Sequence, residues 1–185
     1  MISRTALLIS LSFILPSPGF TAEPEWADNP PRIDVSADRS RSVRTQGGDW
    51  DDKEDRMRMK VTIRNEDLNN PVEGLKGEFW LITRSAVNRS IYQIEQRETF
   101  EFSLTAKPEG REFVYDTPEV LLKFDKTGAV FGTKYHGWIL VIWNKDDEIV
   151  GFKASSSSYK RMLEEALALK PDDWVDSQLR PSPSP

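Results

Sequence analysis

Trp138-Ile139-Leu140-Val141-Ile142-Trp143 is apolar at six consecutive positions, and the polar cluster Asn144-Lys145-Asp146-Asp147 follows it directly. Successive strand residues point to opposite faces, so a run that is apolar on both parities is covered on both faces. The polar cluster has turn chemistry, and Glu148 to Ser155 returns as a second strand-length segment. Together these predict a hairpin with a four-residue loop. Working outward, Phe79-Trp80-Leu81-Ile82 is a second doubly apolar segment and predicts a second strand covered on both faces.

Elsewhere the pattern has period two. Ile33, Val35 and Ala37 alternate with Arg32, Asp34, Ser36 and Asp38. Met57, Met59, Val61 and Ile63 alternate with Arg56, Arg58, Lys60, Thr62 and Arg64. Tyr92, Ile94, Phe100, Phe102 and Leu104 share one parity, with Glu95, Arg97, Thr99, Glu101 and Ser103 on the other. Val120, Leu122 and Phe124 alternate in the same way. These read as half-buried strands, one face in a core and one in water.

One helix is expected over residues 158–169. Ser158 is a suitable N-cap, and Tyr159, Met162, Leu163, Ala166 and Leu167 follow at helical spacing before Pro171. Its apolar face needs a partner, and the outward parities of the two doubly apolar strands supply one: Trp80, Ile82 and one parity of 138–143. The predicted fold is mostly β, an antiparallel sandwich of about seven strands with one C-terminal α-helix packed on a sheet. Tyr135, Gly137-Trp138, Lys153-Ala154-Ser155-Ser156 and Tyr159 are similar to a pattern in exported bacterial immunoglobulin-like or fibronectin-III-like domains. Tyr135 falls near the start of the sixth strand, where such folds often carry a corner tyrosine. The resemblance implies a fold, with the doubly apolar strands third and sixth and adjacent in one sheet. It brings no activity and no site.

The ends read differently. Residues 1–22 have a positive Arg4, the apolar run Thr5 to Leu15, and Pro, Gly and small residues after it. That is the three-part pattern of a secretory signal peptide, and the run is shorter than the ~20 residues a membrane span requires. Residues 23–30 read as an extended lead-in, 31–169 as the folded domain, and 170–185 as a disordered Pro/Ser-rich tail.

The 185 residues carry 25 Lys and Arg against 30 Asp and Glu, a net charge of −5. Removing residues 1–22 removes Arg4 and no acid, which leaves 24 − 30 = −6. This surplus argues against non-specific nucleic-acid binding, which needs a basic face. The absence of Cys excludes disulfides, thiol catalysis and thiolate metal sites, and in an exported chain it fits a bacterial periplasm or cell surface. No later segment is long and apolar enough to span a bilayer, so the mature chain is expected to lack a transmembrane segment.

Catalytic chemistry finds little support. His136 is the sole histidine, next to a buried strand, and no Gly-x-Ser-x-Gly elbow occurs. The acidic run Asp49 to Asp55 reads as a solvated loop, with a calcium site a distant second. Asn88-Arg89-Ser90 matches a glycosylation sequon of the kind that arises often by chance. Arg56, Arg58, Lys60 and Arg64 form a cationic row, readable either as an anion contact or as cross-strand pairing with neighbours such as Glu78, Glu95 or Glu101. Trp26, Trp50 and Trp174 lie outside the expected strands, where aromatics stack on sugars, anchor partners or tie down tails. The expected function is a non-enzymatic binding module of the cell envelope or secretome, without a cofactor. A protein partner or a glycan is the expected ligand, and Trp50, Trp80, Ile82, Arg56, Arg58 and Lys60 are the candidate surface. A carbohydrate-binding domain using loop aromatics is the alternative.

Overall fold

The computed structural model describes residues 31–43, 53–125 and 130–185. The expected signal peptide (1–22) and lead-in (23–30) therefore lie outside the described residues, as does Trp50. Nine strands occur among the described residues: β1 (Arg32–Val43), β2 (Lys53–Arg64), β3 (Val72–Ser85), β4 (Tyr92–Leu104), β5 (Glu112–Asp116), β6 (Val120–Phe124), β7 (Thr133–Trp143), β8 (Ile149–Ala154) and β9 (Trp174–Val175). They form two antiparallel sheets. In one, β2 lies between β1 and the successive β5 and β6; the other has the order β8-β7-β3-β4-β9.

The count exceeds the expected seven for two physical reasons. The strand opposite β2 is interrupted at Thr117-Pro118-Glu119, where Pro118 has no N–H to give the ladder. Thr117 stitches the gap: its N–H donates to the Met59 carbonyl at 2.9 Å, and its Oγ1 accepts from the Met59 N–H at 3.1 Å. The ninth strand comes from the C-terminal segment.

The main core fills the space between the sheets. Met57, Met59, Val61 and Ile63 of β2 meet Phe79 and Leu81 of β3, Phe100, Phe102 and Leu104 of β4, and Leu140 and Ile142 of β7. The rings of Phe100 and Tyr115 stack at 4.4 Å, and those of Phe102 and Phe113 at 4.7 Å. Phe100 lies so close over Gly77 that a Cβ there would come within 2.2 Å of its ring, which accounts for a glycine in mid-strand.

A second core covers the outer face of the five-stranded sheet. Trp80, Ile82, Ile139 and Val141 lie beneath Tyr159, Leu163, Ala166 and Leu169, the packing the sequence predicts. The helical segment itself is two pieces, a 3₁₀ stretch Ser157–Met162 and the short α1 (Leu163–Ala168). Its cap is Ser156, two residues earlier than expected, whose side chain accepts from the Ser158 N–H. Arg97 closes the other end. Its Nη1 donates to the Leu169 carbonyl at 2.8 Å, its Nη2 pairs with Glu78 at 3.2 Å, and its guanidinium lies 5.1 Å from the Trp80 ring.

Two findings correct the sequence reading. First, Tyr92 and Ile94 do not share a face with Phe100, Phe102 and Leu104. The β3–β4 register shifts between Leu81–Gln96 and Ile82–Ile94, leaving Glu95 as the extra residue of a bulge. A one-residue slip exchanges faces, so Tyr92 and Ile94 join the helix-side core while the three later residues enter the main core. Second, residues 170–185 are not a disordered tail. Trp174 and Val175 pair with Gln93 and Tyr92, Val175 bridges Pro181, and Val175 and Leu179 are buried in the second core. Val175 and Leu179 outweigh the Pro/Ser composition because both find a prepared apolar face.

Gly132, just before β7, has φ +82°, and a Cβ on it would lie 1.8 Å from the Lys123 carbonyl oxygen. Gly132→Ala is therefore expected to destabilise by about 2–3 kcal/mol, read as a lower denaturant midpoint.

Candidate functional site

The residues expected to form one surface are separated. Trp80 and Ile82 are 0% exposed, so the correction is plain: they are core beneath the C-terminal segment and present no surface to a partner. Arg56, Arg58 and Lys60 are exposed on β2, on the outer face of the other sheet. There Arg58 is opposite Asp38, Lys60 is opposite Asp116, and Arg56 Nη1 donates to Glu119 Oε1 at 3.1 Å. The row is thus interleaved with carboxylates, though not those of Glu78, Glu95 or Glu101, which belong to the five-stranded sheet. Within the acidic run, Lys53, Glu54 and Asp55 begin β2, and 49–52 lie outside the described residues.

His136 packs its ring 4.7 Å from Tyr92 and 6.5 Å from Tyr159. Burial, with the Arg84 charge behind it, lowers its pKa and favours the neutral ring. It lines neither of the two clefts at the ends of the five-stranded sheet.

Among the described residues, two clefts mark opposite ends of the five-stranded sheet. One, of about 510 Å³, lies between the start of β3 and the β7–β8 turn; Lys76, Lys145, Glu101 and Asp147 line it, and Lys76 pairs with Glu78 at 2.8 Å. The other, of about 350 Å³, is assembled from five parts of the chain: the β3–β4 turn, the start of β4, the segment entering β7, the end of β6 and the C-terminal strap, residues 170–185. Local chemistry holds each part. Ser85 Oγ accepts from the N–H groups of Val87 and Asn88, each at 3.1 Å, and shapes the β3–β4 turn. The Ala86 N–H donates to the Gly132 carbonyl at 2.8 Å and joins that turn to β7. The strap folds back on itself through Ser182 N–H to the Trp174 carbonyl at 2.8 Å.

Buried Ser85 and Thr133 and half-buried Gln93, Glu95 and Trp174 line this cleft. Val87 and Phe131 stand on its rim, 56% and 44% exposed. Such exposed apolar residues around a concave, partly polar site are what a binding cleft requires. The bulge aims Glu95 here rather than into solvent. Thr83 Oγ1 donates to Glu95 Oε2 at 3.4 Å. Burial raises the Glu95 pKa, the Asp172 charge adds to that, and hydrogen bonds from Thr83 and Thr133 oppose it. Among the described residues no cation pairs with Glu95.

A pH prediction follows. Because the folded pKa is raised above the ordinary 4.5, the native state holds this proton longer than the unfolded state. The favourable contribution is complete below the unfolded pKa and is lost as pH rises through the folded value. Glu95→Gln should therefore flatten the fall in stability between acidic and neutral pH and raise the denaturant midpoint at neutral pH. Parallel pH profiles for the two proteins would contradict this.

Of the residues lining this cleft, the sequence singles out Trp174 as an aromatic outside the strands and names Glu95 only as a cross-strand partner for the cationic row. A signal for the bulge was present: Gln96 and Glu98 interrupt the even-numbered apolar set that Tyr92 and Ile94 begin, as a change of face would.

No family model matches the chain, and no curated protein matches it. A crystal structure of a protein from Akkermansia muciniphila is similar at 13% identity, over 76% of this chain and 77% of that chain, with a TM-score of 0.28. A likeness of that size leaves fold and function to be argued from this chain itself.

Proposed function

We propose that this chain is an exported, non-enzymatic recognition module of a bacterial envelope or secretome, built on a fibronectin-III-like variant of the immunoglobulin sandwich. Counting β5 and β6 as one interrupted strand and setting aside β9 gives seven. The first, second and fifth then oppose a sheet ordered seventh, sixth, third, fourth. The two doubly apolar strands fall third and sixth and are neighbours. Export rests on the Thr5–Leu15 run after Arg4 and on the absence of Cys. Among the described residues no helix is long and apolar enough to cross a membrane.

One observation carries the functional reading: the cleft between the β3–β4 turn and the strap, with an uncompensated carboxyl at depth and apolar side chains on its rim. Among the described residues, one outer face is covered by the C-terminal segment, the other alternates in charge, and the larger cleft carries both lysines and carboxylates. The test is retention of a specific ligand from envelope extract by the immobilised protein. Retention lost in Phe131→Asp and kept in Arg58→Ala supports the cleft; retention indifferent to Phe131→Asp contradicts it.

Carbohydrate binding is the second reading, favoured by Trp174 and Gln93, which pair across β4 and β9 and both line the cleft. A glycan array signal abolished by Trp174→Ala would select it.

A further inference from the structure

The chemistry of the cleft narrows the ligand class, and this inference rests on the recognition reading above. Glu95 is turned inward by a bulge, and a side chain re-aimed at a cleft is a usual purpose of a bulge. The groups that act on it are the Thr83 and Thr133 hydroxyls and the Asp172 carboxylate. Thr83 offers a hydroxyl at 3.4 Å. Asp172 in the strap is held close by the Gln93 amide, whose Nε2 donates to Asp172 Oδ1 at 3.4 Å. Among the described residues lining the cleft, the one basic side chain is Lys123, which is 58% exposed and lies 3.9 Å from Glu54.

We infer that the cleft takes an organic cation, an ammonium or guanidinium group on an apolar stem, with Glu95 as its counter-ion. The positive charge completes the ion pair that the bulge leaves open. The faces of Trp174 and Phe131 supply cation–π attraction, and Val87 contacts the stem. An anionic ligand would meet Glu95 and Asp172 as like charges. A neutral ligand would leave the cost of ionising Glu95 in place. The raised Glu95 pKa agrees with this, because a bound cation stabilises the charged form that burial disfavours.

Two sources share this chemistry: a Lys or Arg side chain of a protein partner, and a free amine. The experiment uses the full mature chain and follows the Trp174 indole signal by NMR. The probes are N-acetyl-lysine N-methylamide, its uncharged norleucine counterpart, and diaminobutane. The lysine probe is expected to shift Trp174, and the norleucine probe is not. Glu95→Gln is expected to weaken lysine-probe binding by roughly tenfold or more, the usual scale for losing a charge-assisted hydrogen bond. Affinity should rise with pH as Glu95 ionises; among the described residues, Lys123 also lines the cleft, and the Asp172 charge acts on Glu95 from the strap. Tighter binding of diaminobutane assigns the free amine; tighter binding of the lysine probe assigns a protein side chain. Equal binding of norleucine, no Trp174 shift with either cation, or indifference to Glu95→Gln overturns the inference. The lysine–norleucine comparison needs no variant, so it stands even if Glu95→Gln folds poorly. A glycan or protein retained through Phe131 while the cations fail would refute the cation class and leave the recognition reading intact.

Discussion

Trp80→Ala is expected to cost about 3–5 kcal/mol, the range for truncating a large aromatic in a packed core. Trp80 is fully buried between β3 and the C-terminal segment, and its ring lies 5.1 Å from the Arg97 guanidinium. Truncation removes the surface on which α1 rests and the ring beneath Arg97. Arg97 ties Glu78 to the Leu169 carbonyl, so the loss should spread to the helix end. Trp80→Phe should cost much less. It keeps most of the buried area and removes an indole N–H that has no acceptor among the described residues. Denaturant midpoints at unchanged slope measure both. Equal, small effects would mean that the helix side carries no packing energy.

Deleting residues 170–185 should cost a similar amount, about 3–6 kcal/mol, because Val175 and Leu179 are each fully buried and each such side chain contributes roughly 1.5–3 kcal/mol. The deletion also breaks two backbone bonds at the bulge, Ile94 N–H to the Asp173 carbonyl at 3.0 Å and Asp172 N–H to the Ile94 carbonyl at 2.8 Å. The exposed helix-side core should then bind a hydrophobic dye. Because the strap supplies Trp174, the same deletion should abolish ligand binding at the cleft. A truncated protein of unchanged stability would return these residues to the status of a tail.

Much of the architecture was legible because periodicity reports burial directly. The alternation in β2 placed Met57 to Ile63 inward and Arg56 to Arg64 outward. The doubly apolar runs at Phe79–Ile82 and Trp138–Trp143 announced a second covered face, and the spacing of Tyr159, Leu163 and Ala166 named its cover. What remained hidden depends on local departures from periodicity. The bulge at Glu95 reverses the phase of β4, and parity counting through it assigns one face to two sets of residues. The strap was hidden because Val175 and Leu179 are isolated apolar residues in a polar, Pro-rich stretch, and their burial depends on a site built elsewhere. The cleft was hidden for the same reason: the β3–β4 turn, the end of β6, the entry to β7 and the strap meet only in three dimensions. The candidate surface failed where exposure was assumed, since Trp80 and Ile82 belong to the face that the helix was itself predicted to cover.

The central claim is that recognition occurs at the cleft. Its most direct test is a photo-crosslinking amino acid placed at Phe131, and separately at Arg58, in the full chain within the cells that make it. The account predicts a discrete adduct from position 131 and none from position 58, with the 131 adduct lost on Glu95→Gln if the ligand enters as a cation. Adducts from position 58 alone, or equal labelling from both positions, would contradict the claim.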